Sequence, residues 1–461
     1  MDDVTLAIAE FATGGRATPD DVVGSITSHI VDAMGCAIAA LDEVPCRVVH
    51  AAVREGEVSR GSSVIGLDGR YPPDQAAFAN ACLVRNLDYN DTYNSTTGGH
   101  PSDMIPGIFA AVEAAGGSGK DLIHGVDAAY EVFGALADTV PLRDYGWDQG
   151  VFIAIGCAAG IAAGVGLSED AASHAISLAV TSSNGLRVTR SGNLSAWKGC
   201  ATPHAVRNAV SVTRLAALGM TGPDRPFRGP DGFLERVGGP IEVKNLGLPR
   251  NGRLAVQRTA IKFLPVEWCA QAPVELFLEL HHSLDLAEVE AIEVAGYDFL
   301  CKEIGGGRGD AAQKWDPRTR ETADHSMPYL LAVALVDGVV DIDSFLPERI
   351  NDPALRPLMQ KISVVEDPAT RGIFPQRQPV TVSVTLRDGR MIRRGCEYPL
   401  GHPERPAADG DVDAKFLEVS ARTIEQSFAE EILFGLRDIS LLPNLEPVAR
   451  LLRTVRLRAD A

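Results

Sequence analysis

Nineteen consecutive residues, Gly150 to Ser168, carry no charge, and within them Gly156, Gly160 and Gly164 recur at every fourth position. Four residues is slightly more than one helical turn, so these glycines share one face of a helix. A face without side chains lets a neighbouring backbone come close. A chain holding such a segment has to fold around tightly packed helices. The stretch approaches membrane-spanning length, but Ala and Gly partition weakly into lipid and no basic flank anchors it. It is expected to be a core or dimer-interface helix.

At 461 residues the chain exceeds one simple core, so two domains are expected. Aromatic residues are only 6% of the total, which favours helix packing over a large β-sandwich. The formal net charge of −18 argues against a nucleic-acid partner, because phosphate binding needs a basic face. An anionic substrate would be repelled at long range and would need a local island of positive charge. The opening Met1-Asp2-Asp3-Val4 has neither the basic start nor the apolar run of a signal peptide. No two of the eight cysteines form a C-x-x-C pair, so no zinc or cluster motif is present. A reducing cytoplasm, no metal, no cofactor and no membrane partner are the expectations.

Most of the first 280 residues read as helix. Thr18-Pro19-Asp20-Asp21 has a cap, a first-turn proline and two acids for the positive end of a helix running to about Ala40. Further helices are expected over Asp74 to about Arg85, from near Pro106 to Gly116, from a Ser118 cap to Ala137, after a Ser168 cap, and from about Gly199 to Leu218. Gly116-Gly117-Ser118-Gly119-Lys120 lacks phosphate-loop spacing and follows a helix, so it reads as a helix stop. From about residue 285 the pattern changes. Val289, Ile292 and Val294 predict a strand. Val380, Val382, Val384 and Leu386 alternate with Thr381, Ser383 and Thr385, and Asp388-Gly389 turns the chain into Met391-Ile392. Ala323 to Val336 between them reads as helix. Past Asp411 the chain returns to helix. The fold class is therefore mainly α: a helical domain over 1–280, completed by 405–461, and a smaller α+β domain over 281–404.

Two constellations stand out. Asp88, Tyr89, Asn90, Asp91 and Thr92, followed by His100-Pro101-Ser102-Asp103, put a carboxylate and an imidazole on one interhelical loop. A carboxylate beside a histidine fixes its tautomer and raises its basicity, which proton transfer needs. The same residues also suit an ordinary capped loop. The second constellation follows 36 residues, Val151 to Leu186, whose only Asp, Glu, Lys or Arg are Glu169 and Asp170. Arg187, Arg190 and Lys198 then appear within twelve positions, among Gly185, Gly192 and Gly199. They read either as the positive island that the net charge demands or as a solvated basic loop. Trp197 beside Lys198 would help exclude water. Asp324 before His325 reads either as a helix cap or as part of a site. Gly305 to Gly309 reads as a mobile loop.

Taken in order, Arg85 to Tyr93, Gly99 to Asp103, Trp197-Lys198-Gly199, Gly219 to Pro223, Ala323 to Ser326 and Tyr398 to Pro403 resemble the MmgE/PrpD family. The likeness spans nearly the whole chain. It implies a large all-helical domain formed by both chain ends, a smaller α+β lid domain and a homodimer. It also implies chemistry on a carbon acidified by neighbouring carboxyl groups, as in 2-methylcitrate dehydratases, cis-aconitate decarboxylases and an iminodisuccinate epimerase. The family's active-site positions fall on Asp88, Thr92, His100, Lys198 and Tyr329. Gln149, after Asp148, and Cys269 stand where the family's dehydratases usually carry histidine.

The expected activity is that of a cofactor-independent hydro-lyase acting on a hydroxylated di- or tricarboxylate, without an iron–sulfur cluster. A decarboxylase, an epimerase or a silent carboxylate-binding protein are the alternatives. His100 oriented by Asp88 is expected to move the proton, Lys198 to hold developing charge, and Tyr329 to assist. Thr92, Arg187, Arg190, Asp148, Gln149, Cys269 and His325 are expected around the substrate.

Overall fold

The computed structural model describes residues 1–192, 194–237, 241 and 243–458. Its contacts divide the chain into two units: Met1–Thr189, Gly199–Ile261 and Ala408–Ala461 form the first, Arg190–Lys198 and Lys262–Ala407 the second. The fold is mainly α.

The first unit opens with helices α1 (Asp3–Thr13), α2 (Asp20–Ala39), α3 (Val44–Arg54) and α4 (Pro73–Asn86). Pro19, not Thr18, is the N-cap of α2 and makes no side-chain cap bond. The Thr18 hydroxyl donates to Asp127 at 3.0 Å instead. A tertiary partner has outcompeted the local cap. Helix α5 (Ile105–Ala115) ends at Gly116, whose φ of +72° costs nothing without a Cβ. Helix α6 (Gly119–Thr139) begins with a capping box between Ser118 and Asp121. Helices α7 (Gly150–Gly164), α8 (Glu169–Ser182) and α9 (Ala201–Ala217) follow.

The glycine face of α7 does what its spacing demands. A Cβ on Gly160 would lie 2.5 Å from the Gly125 carbonyl of α6, and one on Gly164 would lie 3.0 Å from the Asp121 carbonyl. The helix is an interior one, with Val151 to Ala159 buried throughout. Among the described residues, α2 is the helix long and apolar enough to cross a membrane, and 83% of its apolar window is buried in the fold. That is the pattern of a core helix.

The chain end returns to this unit through helices Asp409–Ser420, Gln426–Arg437 and Glu446–Thr454. Phe416 packs on Gly35 of α2, and Lys415 Nζ donates to Asp32 Oδ1 at 2.5 Å. The unit is not all-helical as expected. Strands β1 (Ser62–Val64) and β2 (Leu67–Tyr71) form an antiparallel hairpin around Gly66, whose φ is +79°.

In the second unit, β3 (Val289–Gly296), β4 (Ile362–Glu366), β5 (Val380–Leu386) and β6 (Met391–Cys396) make one sheet in the order β4-β3-β5-β6. β3 runs parallel to β4 and antiparallel to β5, which pairs with β6 across the Asp388-Gly389 turn. The alternation in β5 is read out directly, with Val380, Val382, Val384 and Leu386 buried and the residues between them half-exposed. Helix Met327–Asp337 and helix Gln271–Leu280 pack on that apolar face. The second of these lies before residue 281, so the change of unit falls at 261/262 and not at the change in sequence pattern. Its apolar residues Val274 and Phe277 belong to this core.

Candidate active site

In the first unit the loop after α4 turns at Asp88, whose φ is +52°, a left-handed conformation that Asp tolerates better than most residues. The Asp88 carboxylate accepts from Arg85 Nη1 at 2.9 Å, and both side chains are buried. The loop is then fastened residue by residue. Lys415 Nζ donates to the Tyr89 carbonyl at 2.9 Å and stands 3.9 Å from the Tyr89 ring centre. Asn90 Nδ2 donates to Ser102 Oγ and Asp103 Oδ1, each at 2.9 Å. Asp91 Oδ1 accepts from the Ser102 N–H and hydroxyl at 3.0 and 2.6 Å, and Oδ2 accepts from the Tyr130 hydroxyl at 2.7 Å. Thr92 N–H donates to the Ala260 carbonyl at 2.8 Å, and its hydroxyl lies 3.4 Å from the Gly99 carbonyl.

His100 sits half-buried on this framework. Its Nδ1 is 2.7 Å from the Asp91 carbonyl oxygen, and its N–H donates to Gln149 Oε1 at 3.1 Å. The Asp91 backbone holds Nδ1, while the Asp88 carboxylate, turned by its left-handed backbone, meets Arg85. Gln149 acts on the His100 backbone. Asp148, 1% exposed, accepts from Gly150 N–H at 3.0 Å and steadies the start of α7.

The second unit carries the other cluster. Lys198, 5% exposed, donates from Nζ to both oxygens of Asp324 at 3.1 Å. His325 Nδ1 lies 2.6 Å from Asp324 Oδ1 and 3.2 Å from Lys198 Nζ. The ammonium has no acceptor lone pair, so the carboxylate is the natural acceptor for the lysine and for a histidine N–H. Asp324 is not the helix cap. Ser326 is, accepting from Tyr329 N–H at 3.2 Å, which leaves Asp324 for Lys198.

Two members of this cluster escaped the sequence reading. Glu267 N–H donates to the Asp324 carbonyl at 3.0 Å, drawing the segment before Cys269 against it. Lys314, 5% exposed, holds the Ser326 hydroxyl through its carbonyl, and its Nζ lies 3.6 Å from Asp310. Burial pushes the Lys314 pKa down, opposed by Asp310 and Asp324, and Lys198 pushes it further down. Its one sequence signal was a lysine just after a glycine-rich loop.

Other expected residues are placed elsewhere. Tyr329 is fully buried in the second unit's core, and its hydroxyl donates to the Ser344 carbonyl. That hydroxyl serves packing, so the catalytic role expected for Tyr329 is withdrawn. Cys269, 2% exposed, belongs to the same core, and burial together with the nearby Glu267 holds its thiol well above the usual range, against the opposing hydrogen bond of Tyr297. At neutral pH it is a protonated core thiol and does not replace a proton-carrying imidazole. Arg187 belongs to the first unit, where its N–H donates to the Gly146 carbonyl. Arg190 belongs to the second and Trp197 is 48% exposed.

Comparison with known proteins adds an independent line. Family models for the MmgE/PrpD N-terminal and C-terminal domains match residues 6–245 and 264–435. The chain is 29% identical over 437 residues to the 2-methylcitrate dehydratase of Cupriavidus necator, covering 88% of this chain and 87% of that protein. It is 26% identical over 445 residues to the 2-methylcitrate dehydratase of Salmonella typhimurium, covering 90% and 89%. The cis-aconitate decarboxylase of Mus musculus is 24% identical over 417 residues, covering 86% and 81%.

Proposed function

The chain belongs to the MmgE/PrpD family, and we propose that it is a hydro-lyase that removes water from a hydroxylated tricarboxylate of the 2-methylcitrate type. The observation that carries this reading is the buried Lys198–Asp324–His325 cluster. In a chain of net charge −18, a buried lysine held beside a carboxylate and an imidazole gathers a cation and proton-transfer partners in one cluster.

Removing a proton beside a carboxylate builds charge on that carboxylate's oxygens. Lys198 is proposed to bind those oxygens more tightly as the charge grows, an effect worth roughly 3 to 4 kcal/mol for one well-placed donor. His100 is proposed to take the proton, and His325, polarised by Asp324, to protonate the departing hydroxyl. The 2-methylcitrate dehydratases among the relatives support dehydration and the choice of substrate class. The mouse decarboxylase supports a second reading, loss of carbon dioxide from a related tricarboxylate on the same groups. A homodimer in the cytoplasm is part of the proposal.

Proton NMR of the purified protein with 2-methylcitrate, citrate, isocitrate and cis-aconitate separates the readings. A new alkene signal without carbon dioxide supports the hydro-lyase. Release of carbon dioxide from cis-aconitate supports the decarboxylase. Tight binding with no product from any of the four would overturn both.

A further inference from the structure

Proton removal by His100 requires one ring nitrogen to be unprotonated and facing the substrate, and the loop beneath the histidine settles which. We infer that Asp91 is a positioning residue that locks neutral His100 as the Nδ1–H tautomer and leaves Nε2 as the proton acceptor. The inference rests on the proposed role of His100 and deepens it.

The first step is chemical. The group facing Nδ1 at 2.7 Å is the backbone carbonyl of Asp91, and a carbonyl can only accept a hydrogen bond. The proton of the neutral ring is therefore on Nδ1, and Nε2 is the unprotonated nitrogen.

The second step is mechanical. A carbonyl aims a ring well only if its own peptide is fixed, and the Asp91 side chain accepts three hydrogen bonds that fix it. It is fully buried, takes both donors of Ser102 through one oxygen and the Tyr130 hydroxyl through the other. Ser102 lies two residues past His100, so Asp91 clamps the loop on both sides of the ring: its carbonyl holds the imidazole and its carboxylate the chain that follows. Gln149 Oε1 takes the His100 N–H and removes the remaining rotation of that peptide.

Titratable groups surround Asp91 without replacing its hydrogen bonds. His29 Nδ1 is 3.2 Å from Asp91 Oδ2 but is not aligned as a hydrogen bond. Asp32 is held by Lys415 and faces both His29 and Asp91, and burial raises its pKa. Burial and the neighbouring carboxylates of Asp91, Asp32 and Asp103 keep the Tyr130 phenol protonated, so it remains a donor to Asp91.

The test is 15N NMR of the full-length protein labelled at histidine, with the His100 signals assigned by their loss in His100→Gln. Wild type is expected to show His100 with a protonated Nδ1 and an unprotonated Nε2. Asp91→Asn, which replaces one acceptor oxygen by an amide donor, is expected to give a mixture of tautomers, a turnover number lower by roughly tenfold or more and an altered pH profile, with KM within about twofold. If that variant does not fold, Tyr130→Phe, which deletes one donor to Asp91, is expected to shift the same signals in the same direction. A wild-type His100 protonated on Nε2 overturns the inference, as do identical tautomers in wild type and whichever variant folds. Full turnover in His100→Gln would instead remove the role of His100 in the reaction, while the tautomer measurement would still decide what Asp91 does.

Discussion

Lys198 Nζ stands 3.1 Å from each oxygen of the Asp324 carboxylate, and His325 Nδ1 shares one of those oxygens at 2.6 Å. One buried acid thus holds a lysine and a histidine together. The lysine side chain is 6% exposed and the aspartate 2%, so the pair is shielded from water and its charges are weakly screened.

Replacing Asp324 with Asn keeps the shape and removes the counter-charge. A buried cation that loses its partner costs about 3 kcal/mol of stability. His325 would also lose the acceptor that polarises it, so turnover should fall on the order of 10²-fold. Urea denaturation and steady-state kinetics on Asp324→Asn measure both effects. Unchanged stability and rate would mean that the pair is incidental.

Gly99 lies where a side chain would collide with the brace of His100. A Cβ there would sit 1.9 Å from Gln149 Oε1 and 2.7 Å from Phe133 Cζ. Gly99→Ala should therefore displace Gln149, free the His100 N–H and cost about 1 to 3 kcal/mol. Activity should fall by more than in Gln149→Ala, because Phe133 is a rigid ring that an alanine substitution at 149 leaves in place. Equal activity in Gly99→Ala and wild type would show that this packing does not position the loop.

The approach of α7 to α6 gives a prediction far from either cluster. Gly160→Ala would put a methyl group 2.5 Å from the Gly125 carbonyl and 2.7 Å from the Ala129 Cβ. The two helices would have to part, at a cost of about 1 to 3 kcal/mol. Thermal or urea unfolding of Gly160→Ala should show that loss. Gly166→Ala is the comparison for strain alone, since its Cβ meets nothing within 4 Å but its φ is +65°.

His50 supplies a pH dependence. Burial and the nearby Arg54 push its pKa from the ordinary 6.5 down to about 4. Between those values the unfolded chain binds a proton that the folded chain does not. The His50 contribution is thus complete above pH 6.5 and is lost as the pH falls towards 4, by on the order of 3 kcal/mol. Urea unfolding of wild type and His50→Gln at pH 7 and pH 4.5 isolates the effect, and the variant should lose less stability between the two. Parallel losses would contradict it.

What the sequence revealed depended on how local the cause was. The glycines of α7 and the valines of β5 act through the helix and strand repeats themselves, so both elements were legible. The hairpin β1–β2 was not, because Leu67-Asp68-Gly69-Arg70-Tyr71 is short and holds polar residues and glycine where alternation would be sought. Lys198 and the Asp324-His325 pair were legible as motifs, yet 126 residues separate the lysine from the aspartate and no spacing rule joins them. The hold on His100 Nδ1 was not legible for a related reason. A loop rich in acids gives no sign that a backbone carbonyl will face Nδ1. Tyr329 was misread because the Ser344 carbonyl that takes its hydroxyl is brought there by tertiary packing alone.

The central claim is that Lys198 holds the charge that builds on a polycarboxylate during turnover. Steady-state kinetics of Lys198→Met, with its fold checked by circular dichroism, test it most directly. The expected result is a native spectrum and a kcat/KM for the tricarboxylate substrate reduced by roughly 10²- to 10³-fold, with Lys198→Arg recovering part of the loss. A folded Lys198→Met enzyme working at near-normal rates would contradict it.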